Sequence, residues 1–388
     1  MPRLLRIVLV ACLFACGACQ QRQTPAPLPA EQRAAFEAYL RGHDTHHHQY
    51  ITALFETHDV VFLGESHYFE HDVRLVQKLC KPLYERGVRV LATEFARRED
   101  QGRIDSLLAL PAWDEGLARA IQFDQSVEWG YREYLDIFHS AWELNHSLPE
   151  GAPRFRVLGL NDSPDWSFVR TAADRDDAAV MAKVWRGGGE HAWAGVVLDA
   201  VAAGNKVLVY SGIHHAFTRY RQPIVQNGKF IRFDDSRMGN HVYRAIGDRA
   251  VTIFLHAPWP GAGGYDDTYV HPAGGAIDMY MFTRPEGPHA RGFDLAGTPL
   301  GEIRPRDCVY MHGYDDFKLS DFCDGWLYTN PISLYGGVEP IADWINEGNI
   351  EEARRRTPTL AAREYSIQEF NDMIARTADV QRFCSRLR

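Results

Sequence analysis

"VVFLGESHYF", residues 60–69, is the stretch on which the reading of this chain turns. Four apolar residues, Val60 to Leu63, run without a polar break. A strand with one wet face alternates apolar and polar side chains, so an unbroken run marks a strand covered on both faces. Gly64 ends the run, and Glu65, Ser66 and His67 follow at once. In open α/β sheets, ligands bind outside the carboxyl ends of the strands. A carboxylate, a hydroxyl and an imidazole in that place point to chemistry at a strand mouth.

Similar units repeat outward from this strand. Asp72 to Arg86 carries Val73, Val76, Leu79 and Leu83 at helical spacing, and Gly87 closes it. "VRVLATE" (88–94), "FRVLGLN" (155–161), "KVLVYSG" (206–212) and "VTIFLHA" (251–257) read as further strands, with "AIDMYMF" (276–282) as a sixth. Helices are expected over 99–110, 131–146, 172–185 and 191–203, with a helical tail at 365–384. In the second of these, Tyr131, Tyr134, Leu135, Phe138 and Trp142 read as core. Short apolar strands alternating with helices predict an α/β fold, a mostly parallel β-sheet with helices on both faces. Beyond about residue 260 the chain is richer in Gly, Pro and Asp, and its periodicity weakens. The expected layout is a leader (1–18), a tether with an N-terminal helix (19–49), an α/β domain (50–285) and a mixed C-terminal extension packed on it (286–388).

Five strand mouths carry polar groups: Glu65 and His67; Glu94, with Arg97 beyond; Asn161 and Asp162; His214 and His215; and His256. Gly64-Glu65-Ser66-His67 and Gly212-Ile213-His214-His215 share one pattern, G-x-x-H directly after an apolar strand. Two imidazoles with carboxylates suit a divalent transition metal with an open water position, its ligands being Glu65, His67, Glu94 and His215. The same four suit metal-free general-base catalysis, with His67 taking a proton from water. Arg97 reads either as an anion clamp for substrate or as the ion-pair partner of Glu94. Asp162 reads as a substrate contact or a cap for a helix near Pro164, and His214 as a lesser substrate contact. His256 reads as a core histidine. "HDTHHHQY" (43–50) precedes the first strand and is expected to face solvent on a helix.

The chain has 388 residues, 45% hydrophobic and 24% charged, with a net charge of −9. That is ordinary globular composition with room for a large core. No basic block interleaves with aromatics, which argues against a nucleic-acid partner. "MPRLLRIVLVACLFACGACQQ" has two arginines, a short apolar run and then small residues, the shape of a signal peptide and too short to span a bilayer. Leu13-Phe14-Ala15-Cys16 resembles a bacterial lipobox, and Cys19 is the rival site of lipid attachment. Neither Gly17 nor Gln20 is the Asp that retains lipoproteins in the inner membrane. The reading is a lipid-anchored protein on the periplasmic side of the outer membrane, with "QQRQTPAPLPAEQ" as its tether. Of the four body cysteines, Cys308 and Cys323 flank one loop and are the expected disulfide, worth roughly 3 kcal/mol. Cys80 and Cys384 are left as a second candidate pair.

"VVFLGESH", "VLATEFARREDQGRID" (90–105) and the Trp129 to Tyr134 stretch together resemble the ChaN-like haem-binding lipoproteins. The W-x-x-Y match is loose: Tyr131 lies closer to Trp129 than the family spacing, and Tyr134 farther. "RDDAAVMA" (175–182) and "VLVYSGIHHAF" (207–217) resemble ChaN-like and erythromycin-esterase-like motifs. The paired G-x-x-H with a strand-end Glu also resembles the Tiki and TraB-type metalloprotease-like branch. The resemblance covers about residues 50–225, and the tail beyond is longer than in minimal ChaN-like proteins. It implies an α/β fold, with Glu65, His67, Glu94 and His215 at the shared motif positions and Arg97 as in the ChaN-like pattern. It implies two activities: hydrolysis of an ester or amide in a small molecule or peptide, with or without a metal, or haem binding in iron or haem uptake.

Overall fold

The structure is a computed structural model that describes residues 28–43, 45–265, 268–282 and 290–387. Cys16 and Cys19 lie outside the described residues. Eight strands form one sheet, in the order Thr45–His46, Arg291–Asp294, Gly325–Tyr328, Ala250–Leu255, Val60–Glu65, Val207–Gly212, Val90–Arg97, Arg156–Asn161. The last six in that order run parallel, and the first two join antiparallel. The fold is α/β with a mostly parallel sheet and helices around it, as the strand periodicity predicts.

The strand that opened the reading lies near the middle of this sheet and is buried along its whole length. Val60 and Phe62 enter one core, while Val61 and Leu63 enter the other. Period-2 alternation between two covered faces is why the run contains no polar residue. On one face Val73, Val76, Leu79 and Leu83 of the Glu70–Glu85 helix pack beside Tyr134, Leu135 and Phe138 of the Arg132–Ser147 helix. On the other, Trp193 and Val197 of the Gly189–Ala202 helix meet Met238 and Val242 of the Met238–Ile246 helix. Chain order and spatial order part company here. The chain leaves Val60–Glu65, builds two strands on one side, then returns to insert Val207–Gly212 as the immediate neighbour. This is a topological switch point, where open α/β sheets form their clefts.

Two expectations are corrected. Residues 276–282 form a helix, not a sixth strand. Ala276, Ile277, Tyr280 and Met281 are its buried apolar positions, the i, i+1, i+4, i+5 pattern of one helix face, and in a seven-residue stretch apolar but for Asp278 that period is hidden. Late strands are present further on, at Arg291–Asp294 and Gly325–Tyr328, and they join the same sheet. Of the histidine tract, residues 45–46 form a strand and only His47–Leu54 is helical; His47 and His48 are half-buried and share a groove with His71.

Cys308 and Cys323 are not joined, and neither are Cys80 and Cys384; all four are free and buried. Cys323 donates to the Gly325 carbonyl at 3.2 Å, and Cys308 sits where the chain bridges to Gly261. Burial pushes the thiols of Cys80, Cys308 and Cys384 up to about 12 and that of Cys323 higher still. These four thiols should therefore resist an aromatic disulfide reagent in the native protein and react together once denaturant is added. Rapid reaction of any of them without denaturant contradicts this packing. Among the described residues, no helix is long and apolar enough to cross a membrane.

Candidate functional site

The parallel register sets Glu65 level with Gly212, and Thr93 level with Tyr210. Glu65, Glu94 and the second G-x-x-H turn therefore leave the sheet at one edge. Beyond Thr93 the Val90–Arg97 strand slips register against Arg156–Asn161. Such bulges re-aim side chains, and this one lies beside Glu94. The two motif glycines serve each other's turn. A Cβ on Gly64 would lie 2.4 Å from Cδ1 of Ile213, and one on Gly212 would lie 2.8 Å from Cε1 of His67. Tyr68, next to His67, has a φ of 77°. That left-handed conformation is costly for a bulky residue. It turns the chain sharply from the strand mouth into the Glu70–Glu85 helix and leaves His67 at the apex.

Two carboxylate–imidazole pairs flank one central carboxylate. His67 donates from Nδ1 to Oε1 of Glu65 at 2.7 Å, and its Nε2 lies 3.7 Å from Oε1 of Glu94. His215 donates from Nδ1 to Oε1 of Glu190 at 2.7 Å, and its Nε2 lies 3.6 Å from Oε2 of Glu94. The Gly212 N–H donates to Oε2 of Glu94 at 2.8 Å. Each ring thus has its proton-bearing nitrogen held by a carboxylate, which fixes the tautomer and turns Nε2 toward the same group. Glu65 is fully enclosed: Tyr134 donates to Oε1 at 2.7 Å and Tyr210 donates to Oε2. Glu190 also accepts from Arg237 at 3.1 Å and from the Met238 N–H at 2.7 Å.

The electrostatics follow from these partners. Burial lowers the His67 pKa, but the Glu65 hydrogen bond and the charges of Glu94 and Glu65 outweigh it, and the net shift is upward. His215 behaves alike: burial lowers it, while Glu94 and Glu190 raise it further. Burial raises Glu65, against the opposing pull of His67, Tyr210 and Tyr134. For Glu190 burial also raises the value, but His215 and Arg237 win and it is lowered. His67 opens onto a cleft of about 190 Å³, lined also by Glu94, Trp129, Trp166, Trp185 and Arg356.

Glu65, His67, Glu94 and His215 are all at this mouth; the other expected contacts are not. Arg97 neither clamps the cleft nor pairs with Glu94. It donates to Asp100 at 2.6 Å and to Ser163 at 3.0 Å, beyond the register slip in its strand. Asp162 is buried, ion-paired with Arg98, and accepts from the Gly189 N–H at 2.8 Å. It anchors the helix that carries Glu190, is not among the residues lining the cleft, and does not cap a helix at Pro164. His214 lies 3.1 Å from the Tyr310 hydroxyl, and burial drives its pKa well down. His256 is a core histidine, accepting from Trp326 at 3.2 Å. The residues missed are Glu190, Tyr134 and Tyr210. Glu190 closes "RGGGE" (186–190) at a helix start, a faint signal; Tyr134 was legible as core and in the loose W-x-x-Y match, and Tyr210 only as a strand residue.

Of the expected metal set, Glu65 is already engaged. Both Glu65 oxygens are taken by protein groups, and among the described residues no three His, Cys, Asp or Glu side chains are arranged to hold an ion. Haem fits only in part. His67 Nε2 is a suitable axial ligand in kind, but about 190 Å³ falls below the roughly 300–1,000 Å³ of common ligand pockets, so the cleft does not enclose a macrocycle. The Gly212→Ala variant tests how tightly the site is built. The new methyl group displaces the His67 ring, and activity should fall about a hundredfold with the fold retained. Unchanged kinetics would mean that the ring position does not matter.

Residues 51–163 match a family described as haem-binding uptake, Tiki superfamily, ChaN. No curated protein matches the chain. Among solved structures, a Bacillus cereus structural-genomics protein is similar at 12% identity and a TM-score of 0.47, over 81% of this chain and all of that one. A mutant erythromycin esterase, EreC, in its open conformation is similar at 12% identity and a TM-score of 0.47, over 76% and 95%. A succinoglycan biosynthesis protein is similar at 10% identity and a TM-score of 0.49, over 82% and 97%. At these TM-scores the likenesses carry nothing about activity.

Proposed function

We propose that this chain, whose residues 51–163 match a family described as haem-binding uptake, Tiki superfamily, ChaN, is a hydrolase of ester or amide bonds working from the Glu65–His67 pair. The observation that carries this reading is His67 itself. Its Nδ1 is held at 2.7 Å by a buried carboxylate, and its ring is 36% exposed beside a cleft. A general base needs that arrangement: a fixed tautomer, a free Nε2 and access for water. His67 Nε2 takes a proton from water as the water oxygen attacks the acyl carbon. Glu65 steadies the imidazolium that forms. Glu94 stabilises that charge from the Nε2 side, and the Glu190–His215 pair holds a second imidazole against Glu94. The leaving oxygen or nitrogen recovers a proton from the same base.

The test is hydrolysis of a panel of activated esters and short peptides by the purified protein. No turnover above the His67→Ala background across the panel rejects the hydrolase reading. The second reading, haem binding in haem or iron uptake, is favoured by the description of the matching family. His67 would be the ligand, with the macrocycle seated outside the small cleft. A saturable Soret shift on adding haem, absent in His67→Ala, supports that reading instead.

The proposed location is the periplasmic face of the outer membrane, through lipid on Cys16 or Cys19. Replacing both by serine should move the protein to the soluble fraction, and continued membrane partitioning would reject the anchor.

A further inference from the structure

The cleft beside His67 is walled from separate parts of the chain. His67, Glu94 and Trp129 lie within residues 51–163, the stretch that matches the family. Trp166, Trp185 and Pro358 come from outside it. The segment bearing Trp166 and Trp185 runs from the Arg156–Asn161 strand to the Gly189–Ala202 helix, and it is braced in place. The Asp165 N–H donates to the Val184 carbonyl at 3.0 Å, which joins the two ends of the segment. Arg363, from the C-terminal extension, donates to the carbonyls of Trp166 and Val169, each at 2.7 Å. Trp166 and Trp185 meet edge to face at 5.5 Å and 82°. Trp129 stacks on Phe95 at 5.5 Å and stands edge-on to His67 at 5.2 Å.

Much of the lining surface left open is aromatic. Trp185 is 38% exposed, and among the described residues it is the large exposed apolar side chain that lines the cleft. Trp129 and Trp166 are half-buried. The polar lining groups are mostly engaged by the protein itself. Arg356 donates to Asp124 at 2.7 Å, Asn161 accepts from the Asp162 N–H at 2.8 Å, and Glu94 accepts from the Gly212 N–H at 2.8 Å. Gln125 and Ser126 remain, adjacent in the chain. Covering exposed apolar surface is favourable, whereas a polar group seated on it gives up water and gains no partner.

We infer that the wall of Trp129, Trp166 and Trp185 receives an apolar group of the substrate, on the acyl or the alcohol side of the scissile bond, and that Trp185 sets this preference. The inference rests on the hydrolase reading above, because the wall borders the base which that reading uses. In the reaction on an ester, the water oxygen bonds to the acyl carbon and one of its protons passes to His67 Nε2. The bond from acyl carbon to alcohol oxygen breaks, and that oxygen takes the proton from His67. A free acid and an alcohol leave, with no other reactant consumed.

The experiment has two arms on the full-length protein. The first uses two ester pairs of nearly equal shape, in which one methylene is exchanged for oxygen. Butyl acetate against 2-methoxyethyl acetate probes the alcohol side, and ethyl pentanoate against ethyl 3-methoxypropionate probes the acyl side. Acid release gives kcat/KM, each value divided by the ester's own rate with hydroxide. The apolar member of at least one pair should be preferred about tenfold, and the pair that shows this identifies the side. Trp185→Ala should reduce that preference to about twofold or less, and Trp185→Phe should restore most of it. A merely structural loss would lower both members of a pair alike. The second arm follows butyl acetate and ethyl pentanoate by saturation-transfer NMR with His67→Ala protein. Transfer to an alkyl chain, weakened in the His67→Ala, Trp185→Ala double variant, supports the apolar wall whatever the catalysis. Ester cleavage with no preference within either pair, or with a preference that Trp185→Ala leaves intact, overturns the inference and leaves the hydrolase reading standing. Transfer that depends on Trp185, with no turnover of any ester, does the reverse. Neither transfer nor turnover rejects both.

Discussion

Replacing His67 by alanine is expected to reduce kcat/KM for ester hydrolysis by roughly 10²- to 10⁴-fold, the usual contribution of a positioned general base. The fold should survive. The ring is 36% exposed at the sheet edge, whereas the strand leading to it is buried through Val60, Val61, Phe62 and Leu63. Glu65 would lose one of its three side-chain donors but keep Tyr134 and Tyr210. The shift of its pKa above the ordinary carboxylate value lets it take up a proton in place of the lost partner. Circular dichroism and Tm near those of the parent, together with lost turnover, are the expected pair of results. A variant that keeps full activity removes His67 as the base.

Glu94→Gln should cost about a hundredfold or more and also move the pH profile. Both effects follow from one geometry, a carboxylate 3.7 Å from His67 Nε2 and 3.6 Å from His215 Nε2. A general base works in its neutral form. In the parent, activity should fall as pH drops through the His67 pKa, which stands above its ordinary 6.5. The Glu94 charge is one of the causes that raise it, so removing the charge lowers that pKa. The acidic limb of kcat/KM against pH should therefore shift to lower pH in Glu94→Gln, even as the plateau falls. A limb that stays in place would show that His67 does not titrate against Glu94. Glutamine keeps an oxygen for the Gly212 N–H, so a collapsed fold is not expected.

The scaffold was readable for a definite reason. A strand buried on both faces must be continuously apolar, and five of the six expected strands announced themselves that way. The failures came where the same signal is ambiguous. "AIDMYMF" is apolar enough for a strand and is a helix, since seven residues cannot separate the two periods once nearly every position is apolar. Arg97 was misplaced because a motif read along the chain does not reveal the register slip between Thr93 and Arg97, which re-aims the side chains. The expected Cys308–Cys323 pair failed for a related reason: nearness in sequence does not bring two sulfurs together when each is packed into its own part of the core.

By itself the sequence determined the strand ends that carry His67, Glu94 and His215, because buried apolar runs alternating with helices imply a parallel sheet, whose strands share one carboxyl edge. It also determined that Glu65 would stand beside His67, two residues away in the same turn. What completes the site was decided by the tertiary structure alone. Glu190 is 25 residues from His215, and Tyr134 and Tyr210 are 69 and 145 residues from Glu65. Their partners are fixed by strand order and helix packing, which no local pattern encodes. The return of the chain to insert Val207–Gly212 beside Val60–Glu65 brings the two imidazoles to one carboxylate. That insertion is a property of the assembled sheet, stabilised by contacts between residues far apart in the chain.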